Sequence, residues 1–239
     1  AGILANGAGT VTYTITGTPS AAGTASFAIN LGGQTCTLTT TVYTTGTITS
    51  IDCGSATHNG ILTSGSAASG VSSAISYTDG NGGGFTAQSI ASTGVTGLTA
   101  SIATGTLANG AGTLTYIITG TPSASGTASF AITLGGQSCT FTRTVLPVGS
   151  ITALNCEGAT HSGTLIEGSI ASDVSSAIPY TEGNGGTYTA QSFASTGVTG
   201  LTATLEAGTL ASGVGTLTYT ITGTPSASGT ASFAITLGG

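Results

Sequence analysis

The 239-residue sequence has no lysine, methionine or tryptophan, and its one basic side chain, Arg143, stands against seven acids. With 3% of residues charged and a net charge of −6, there is no basic patch to neutralise a run of phosphates or to hold an anionic membrane surface. Nucleic acid is excluded as a partner on that ground. Without lysine there is no lysine–asparagine isopeptide crosslink and almost no site for trypsin-like cleavage. No apolar run reaches about 18 residues, and the opening AGILANGAGT has neither the charged start nor the apolar core of a signal peptide. Any targeting signal or anchor is expected outside this sequence. Scarcity of charge does not imply disorder here, because 38% of residues are hydrophobic and the abundant Thr, Val, Ile and Tyr favour strands.

An internal repeat organises what remains. Cys36 and Cys139 are 103 residues apart, as are Cys53 and Cys156. The match needs no gap: LANGAGTVTYTITGTPSAAGTASFAINLGGQTCTLTTTV from Leu4 returns as LANGAGTLTYIITGTPSASGTASFAITLGGQSCTFTRTV from Leu107. A period of that length corresponds to a whole domain per repeat, too long for a solenoid or propeller unit. Boundaries at 44–47 and 146–150 divide the chain into the C-terminal part of one repeat (1–46), a complete repeat (47–149), and a repeat lacking its last strand (150–239). The chain therefore reads as a window on a longer polypeptide.

Within the middle repeat, short β-rich runs alternate with Gly, Asn and Ser every 10–15 residues, and no 3.6-residue periodicity competes. Strands are expected near 47–53, 60–64, 72–78, 84–90, 96–102, 112–119, 126–134 and 137–145. That number in about one hundred residues fits an all-β, two-sheet sandwich. Period-2 alternation turns Leu114, Tyr116 and Ile118 inward on one strand and Ala128, Phe130, Ile132 and Leu134 on another, leaving Thr113, Thr115 and Thr119 in solvent. A threonine-coated surface gives little charge repulsion against edge pairing, so lateral association with identical chains is expected to be easy.

The segment from Thr93 to Cys139, with its turn Gly120-Thr121-Pro122 followed by the strand ASFAITL, resembles the immunoglobulin-like repeats of large bacterial cell-surface proteins. Similar arrays occur in giant repetitive adhesins, including those of gliding bacteria. The resemblance implies tandem immunoglobulin-like β-sandwiches arranged end to end and display on the extracellular bacterial surface, with no particular ligand.

Alternation turns Cys139 inward with Phe141 and Val145, and Cys53 inward with Ile51. An intradomain bridge from Cys53 to Cys139 is the leading expectation, with Cys36 and Cys156 paired to cysteines outside the chain. The rival pairing, Cys36 with Cys53 and Cys139 with Cys156, would close a hairpin across each junction. Two cysteines per repeat in a chain of secreted character favour bridges over buried thiols.

The other chemistry-bearing residues are sparse. His58 and His161, each five residues after a cysteine, lack the further ligands a structural zinc requires, so no metal is expected there. Asp79-Gly80-Asn81-Gly82 and Glu182-Gly183-Asn184-Gly185 resemble the opening of a calcium loop but supply one acid each, and a Gly-rich hairpin turn is the simpler reading. No G-x-S-x-G turn or local Ser-His-Asp grouping suggests an enzyme, and no cofactor is expected. Arg143, replacing Thr40 of the preceding repeat, is expected as a solvated side chain within reach of Glu157. The function that follows is a structural shaft of a surface fibre or giant adhesin whose partners are further repeats of the same polypeptide. The alternatives are a module binding a glycan or cell-surface ligand, for which Tyr77, Phe85, Tyr180 and Tyr188 are the candidates although their strand-like spacing reads as core, and a non-covalently polymerising filament subunit.

Overall fold

The computed structural model describes residues 4–237, which form strands, turns and extended segments with no helix. The ends of the first and last segments, 1–3 and 238–239, lie outside the described residues. Strands β1 (Gly23–Leu31) and β2 (Gln34–Val42) make an antiparallel hairpin closed by Gly32-Gly33. Both glycines have positive φ, 59° and 78°, as the tight turn that matches strand twist requires.

The middle repeat contains β3 (Ser50–Asn59), β4 (Leu62–Thr63), β5 (Val71–Asn81), β6 (Gly84–Phe85), β7 (Gln88–Ala91), β8 (Thr93–Gly94), β9 (Leu98–Ile102), β10 (Gly105–Thr106), β11 (Asn109–Gly120), β12 (Gly126–Leu134) and β13 (Gln137–Leu146). One sheet runs β3-β5-β11-β9-β7 and the other β4-β13-β12-β8, with β6 and β10 forming a small ribbon. Pairing is antiparallel except that β4 lies parallel to β13. The two sheets share one core. Ile75, Leu98, Tyr116 and Ile118 enter it from the first sheet and Phe130, Ile132, Phe141 and Val145 from the second, all nearly inaccessible. Phe141 stacks on Phe130 with centroids 5.0 Å apart and meets Tyr116 at 5.9 Å. Burial of each such side chain contributes about 1.5–3 kcal/mol, which is the energetic reason the alternation of β11, β12 and β13 is kept.

The strand expectations differ from the structure in several places. The first strand continues beyond Cys53 to Asn59 through a bulge between Asp52 and Thr57. The run at 84–90 breaks in two, the run expected at 96–102 begins only at Leu98, and the short strands β8 and β10 lie outside every expected run. Gly97, just before β9, takes φ 89° and packs so closely on the carbonyl of Thr121 that no Cβ would fit.

In the third repeat the strands are β14 (Ala153–Leu154), β15 (Thr160–Ser162), β16 (Val174–Asn184), β17 (Thr187–Tyr188), β18 (Gln191–Ala194), β19 (Thr196–Gly197), β20 (Leu201–Leu205), β21 (Gly208–Thr209), β22 (Ser212–Gly223) and β23 (Ala231–Ser232). The large sheet recurs as β14-β16-β22-β20-β18, with β15 also on β16. The second sheet shrinks to the pair β19-β23. Residues 229–237 match β12 in sequence but only Ala231–Ser232 are strand, because no described strand stands where β13 pairs with β12. The same logic governs the first hairpin. Phe27, Leu31 and Leu38 occupy the positions of buried Phe130, Leu134 and Phe141, yet remain about two-fifths exposed with no facing sheet.

Candidate functional site

The features with chemical content in the middle repeat lie at the edge where the two sheets meet and at the linker leading into it. Cys53 on β3 and Cys139 on β13 are joined by a disulfide with Cα atoms 5.9 Å apart. Cys53 is presented by the bulge, and Asp52 shapes that bulge: its carboxylate accepts from the Gly54 and Ser55 amides at 2.9 and 3.2 Å and from the Ser55 hydroxyl at 2.5 Å. The Ser55 hydroxyl, then the Ser55 and Gly54 amides, hold the Asp52 carboxyl below the usual carboxylate range. In the third repeat Asn155 takes this place and accepts from the Gly158 amide at 3.0 Å. Cys36 and Cys156 are free and exposed.

Arg143 overturns the expectation of a solvated side chain near Glu157. It is 5% exposed, and its guanidinium donates to the carbonyls of Ser72 at 3.0 Å, Asn59 at 3.3 Å and Gly60 at 2.5 Å. Glu157 is exposed in the following repeat. The reason is parity: on β13 residue 143 shares its face with Cys139, Phe141 and Val145, so the long side chain starts inward and reaches the sheet edge where β3 and β5 diverge. The three carbonyls disperse the charge that burial would otherwise penalise. Desolvation still lowers the Arg143 pKa. Beside it, burial first and the Arg143 charge second lower the pKa of His58, whose Nδ1 lies 2.9 Å from the buried Ser73 hydroxyl. His161 makes the same contact with Ser176 at 2.8 Å. Both histidines are thus hydrogen-bonded to serine, and among the described residues no group of three or more His, Cys, Asp or Glu gathers to hold a metal ion.

The stretch that resembles a calcium loop has a different task. Asp79 and Glu182 sit at φ 54° and 53° within an irregularity of the β5–β11 and β16–β22 ladders, and the asparagine two residues on grips the linker. Asn81 Oδ1 accepts from the amides of Thr47 at 3.0 Å and Gly83 at 2.9 Å, while Nδ2 donates to the Thr45 carbonyl at 2.9 Å. Asn184 repeats all three contacts, with Ser150, Gly186 and Val148 at 3.0, 2.9 and 2.8 Å. Around each clamp the linker backbone bonds the next repeat directly: Gly46 to Gly84 and Gly84 to Thr44 at 2.7 Å, Gly149 to Thr187 at 2.6 Å and Thr187 to Pro147 at 3.0 Å. A Cβ at Gly83 would stand 2.6 Å from the Thr45 carbonyl and 2.7 Å from the Gly46 nitrogen, so glycine is required for this approach.

Asn81→Ala is expected to cost about 1–2 kcal/mol, since it strands partly exposed linker groups that water re-satisfies in part. Amide exchange should accelerate at Thr47 and Gly83 while Ile118 in the core stays protected. Unchanged exchange at Thr47 would show that the backbone bridge alone fixes the linker.

The aromatic candidates divide. Tyr77 and Tyr180 are core residues, 4% and 3% exposed, with hydroxyls accepting from the Ala108 and Ala211 amides at 2.7 Å. Phe85 and Tyr188 are half-buried and line shallow clefts beside the two linkers. The buried arginine, the asparagine clamps and the aspartate-shaped bulge were not anticipated from sequence. The strict alternation of β13 carries a signal for the first, and the repeated Asn-Gly-Gly at 81–83 and 184–186 carries one for the second.

No protein family, no characterised protein and no solved structure matches this chain.

Proposed function

We propose that the chain is part of the structural shaft of an extracellular surface fibre or giant adhesin, built from tandem immunoglobulin-like sandwiches joined end to end. The observation that carries this reading is the position of the disulfide. It ties the first long strand of the middle repeat to its last, so tension entering at the linker before β3 leaves after β13 through a covalent bridge, bypassing the sheets. The clamped linkers extend the same logic, because Asn81 and Asn184 fasten each joint to the repeat that follows it. An oxidising compartment suits the disulfide, and a surface of threonine with almost no charge suits lateral packing of fibres. Nothing in this reading calls for catalysis or a cofactor; its partners are further repeats of the same polypeptide and neighbouring fibres.

Electron microscopy of the native, unproteolysed material tests the reading. A continuous thin filament with an axial repeat of about 40 Å per sandwich is expected, given strands that rise about 3.3 Å per residue. Discrete short particles, or a filament that falls into single chains in denaturant, would refute it.

A further inference from the structure

Tandem repeats of near-identical sequence face a pairing problem, and the spacing of the cysteines makes it acute. Cys53 stands 86 residues from its partner Cys139 but only 17 from Cys36 (53 − 36), and the next joint repeats the short spacing between Cys139 and Cys156 (156 − 139). In the unfolded chain the shorter loop closes about elevenfold more readily, because closure scales with the 3/2 power of loop length. The strands that carry the competing cysteines are also alike. QTCTLTTTV of β2 and QSCTFTRTV of β13 differ at three of nine positions, and one of these, Thr35 against Ser138, exchanges one exposed hydroxyl for another. On the inward face Leu38 and Phe141 are both apolar. Thr40 against Arg143 is the one difference that changes the chemistry of the buried face.

The middle repeat holds a receptor for that position. Gly60, just after β3, takes φ 75° and packs so closely on the start of β5 that a Cβ would stand 3.0 Å from both the Gly70 carbonyl and the Val71 side chain. Asn59 Nδ2 donates to the same Gly70 carbonyl at 3.3 Å. This tight crossing converges the carbonyls of Asn59, Gly60 and Ser72, and all three accept from Arg143.

We infer that Arg143 is the residue by which the middle repeat selects its own closing strand, and with it Cys139, over the matching strand of a neighbouring repeat. The cradle suits a guanidinium, whose five donors on one plane satisfy carbonyls arriving from two strands. The threonine of a β2-type strand offers one donor on a side chain too short to span them. Arg143 follows Cys139 by four residues on the same face of β13, so seating the guanidinium sets the register that brings Cys139 against Cys53. The disulfide then records the choice. The strand accepted is β13 of the same repeat, and the strand rejected is its counterpart from the preceding repeat or a second copy, strand exchange being the characteristic misassembly of repeat arrays. The inference rests on the reading of the chain as tandem disulfide-stapled repeats and holds whatever the array supports.

The test refolds the full chain from the reduced, unfolded state in a glutathione buffer, where each pair of thiols passes two electrons and two protons to oxidised glutathione, releasing two reduced glutathiones. Chymotryptic mapping of the acid-quenched product then counts the partners of Cys53. In the wild-type chain Cys139 is expected to exceed Cys36 at least about tenfold, against the chain-entropy bias. Arg143→Thr should lower that ratio at least about tenfold, the effect of losing one charge-assisted contact or more. Because any weakening of the repeat could also favour mispairing, Thr40→Arg carries the decision: it leaves β13 intact, gives β2 the selected side chain, and should raise the Cys36–Cys53 product several-fold, within or between chains. An unchanged ratio in Arg143→Thr, or no rise in Thr40→Arg, would overturn the proposal. A wild-type chain that forms no Cys53–Cys139 bond would defeat the stapled-shaft reading itself, whereas an intact bond with both variants unchanged defeats the selection alone.

Discussion

Replacing Cys53 and Cys139 together by alanine is expected to lower the stability of the middle repeat by about 4–5 kcal/mol, the loop-closure entropy of a crosslink spanning 86 residues. The bridge restricts the unfolded chain across almost the whole repeat, which is why the expected effect is near the upper end for a single disulfide. Against a typical domain stability of about 5–15 kcal/mol, the loss is a large fraction. Urea unfolding followed by the core tyrosines checks it: the midpoint of the oxidised protein should fall on reduction to that of the alanine variant. Coincident midpoints in oxidised and reduced protein would mean that the native strain of the bridge cancels its entropic contribution.

Arg143→Met should destabilise the middle repeat by about 2–4 kcal/mol. Each of three charge-assisted hydrogen bonds is worth about 1.5–3 kcal/mol, and relief of guanidinium desolvation offsets part of that sum. Methionine keeps most of the side-chain volume, so the loss is of hydrogen bonds more than of packing. The acceptors are neutral carbonyl dipoles and not a partner charge, and the effect should therefore persist in 1 M salt, where the Debye length is about 3 Å and surface charge pairs are screened out. Thermal unfolding at low and high salt reads both points. A destabilisation that disappears in salt would place Arg143 on the surface after all.

Most of the middle repeat was legible in sequence. Strict alternation along β11 and β12 identifies Tyr116, Ile118, Phe130 and Ile132 as core, and all four are buried. Alternation alone also placed Cys53 and Cys139 inward, where they are bridged. Arg143 shows where residue type competes with pattern: parity turns it inward with Phe141 and Val145, but a charged side chain suggests solvent, and only the diverging ends of β3 and β5 supply the carbonyls that reconcile the two. Asn81 was obscured for another reason. Its role depends on a linker that leaves the preceding repeat and returns to lie beside Gly84, a tertiary contact that local turn chemistry does not reveal. The continuation of β3 through Gly54 and Ser55 was hidden by small residues that look like a loop, and by Asp52 satisfying their amides from the side.

Single-molecule extension of the chain, pulled through its two ends, tests most directly whether the bridge lies in the path of tension. With the disulfide formed, unfolding of the middle repeat should release only the residues outside 53–139. With it reduced, the same event should lengthen the chain by a further 280–310 Å or about that, from the 86-residue separation at about 3.3–3.6 Å per residue. Equal lengthening in the two states would contradict the account, because it would show that tension does not pass from β3 to β13 through Cys53 and Cys139.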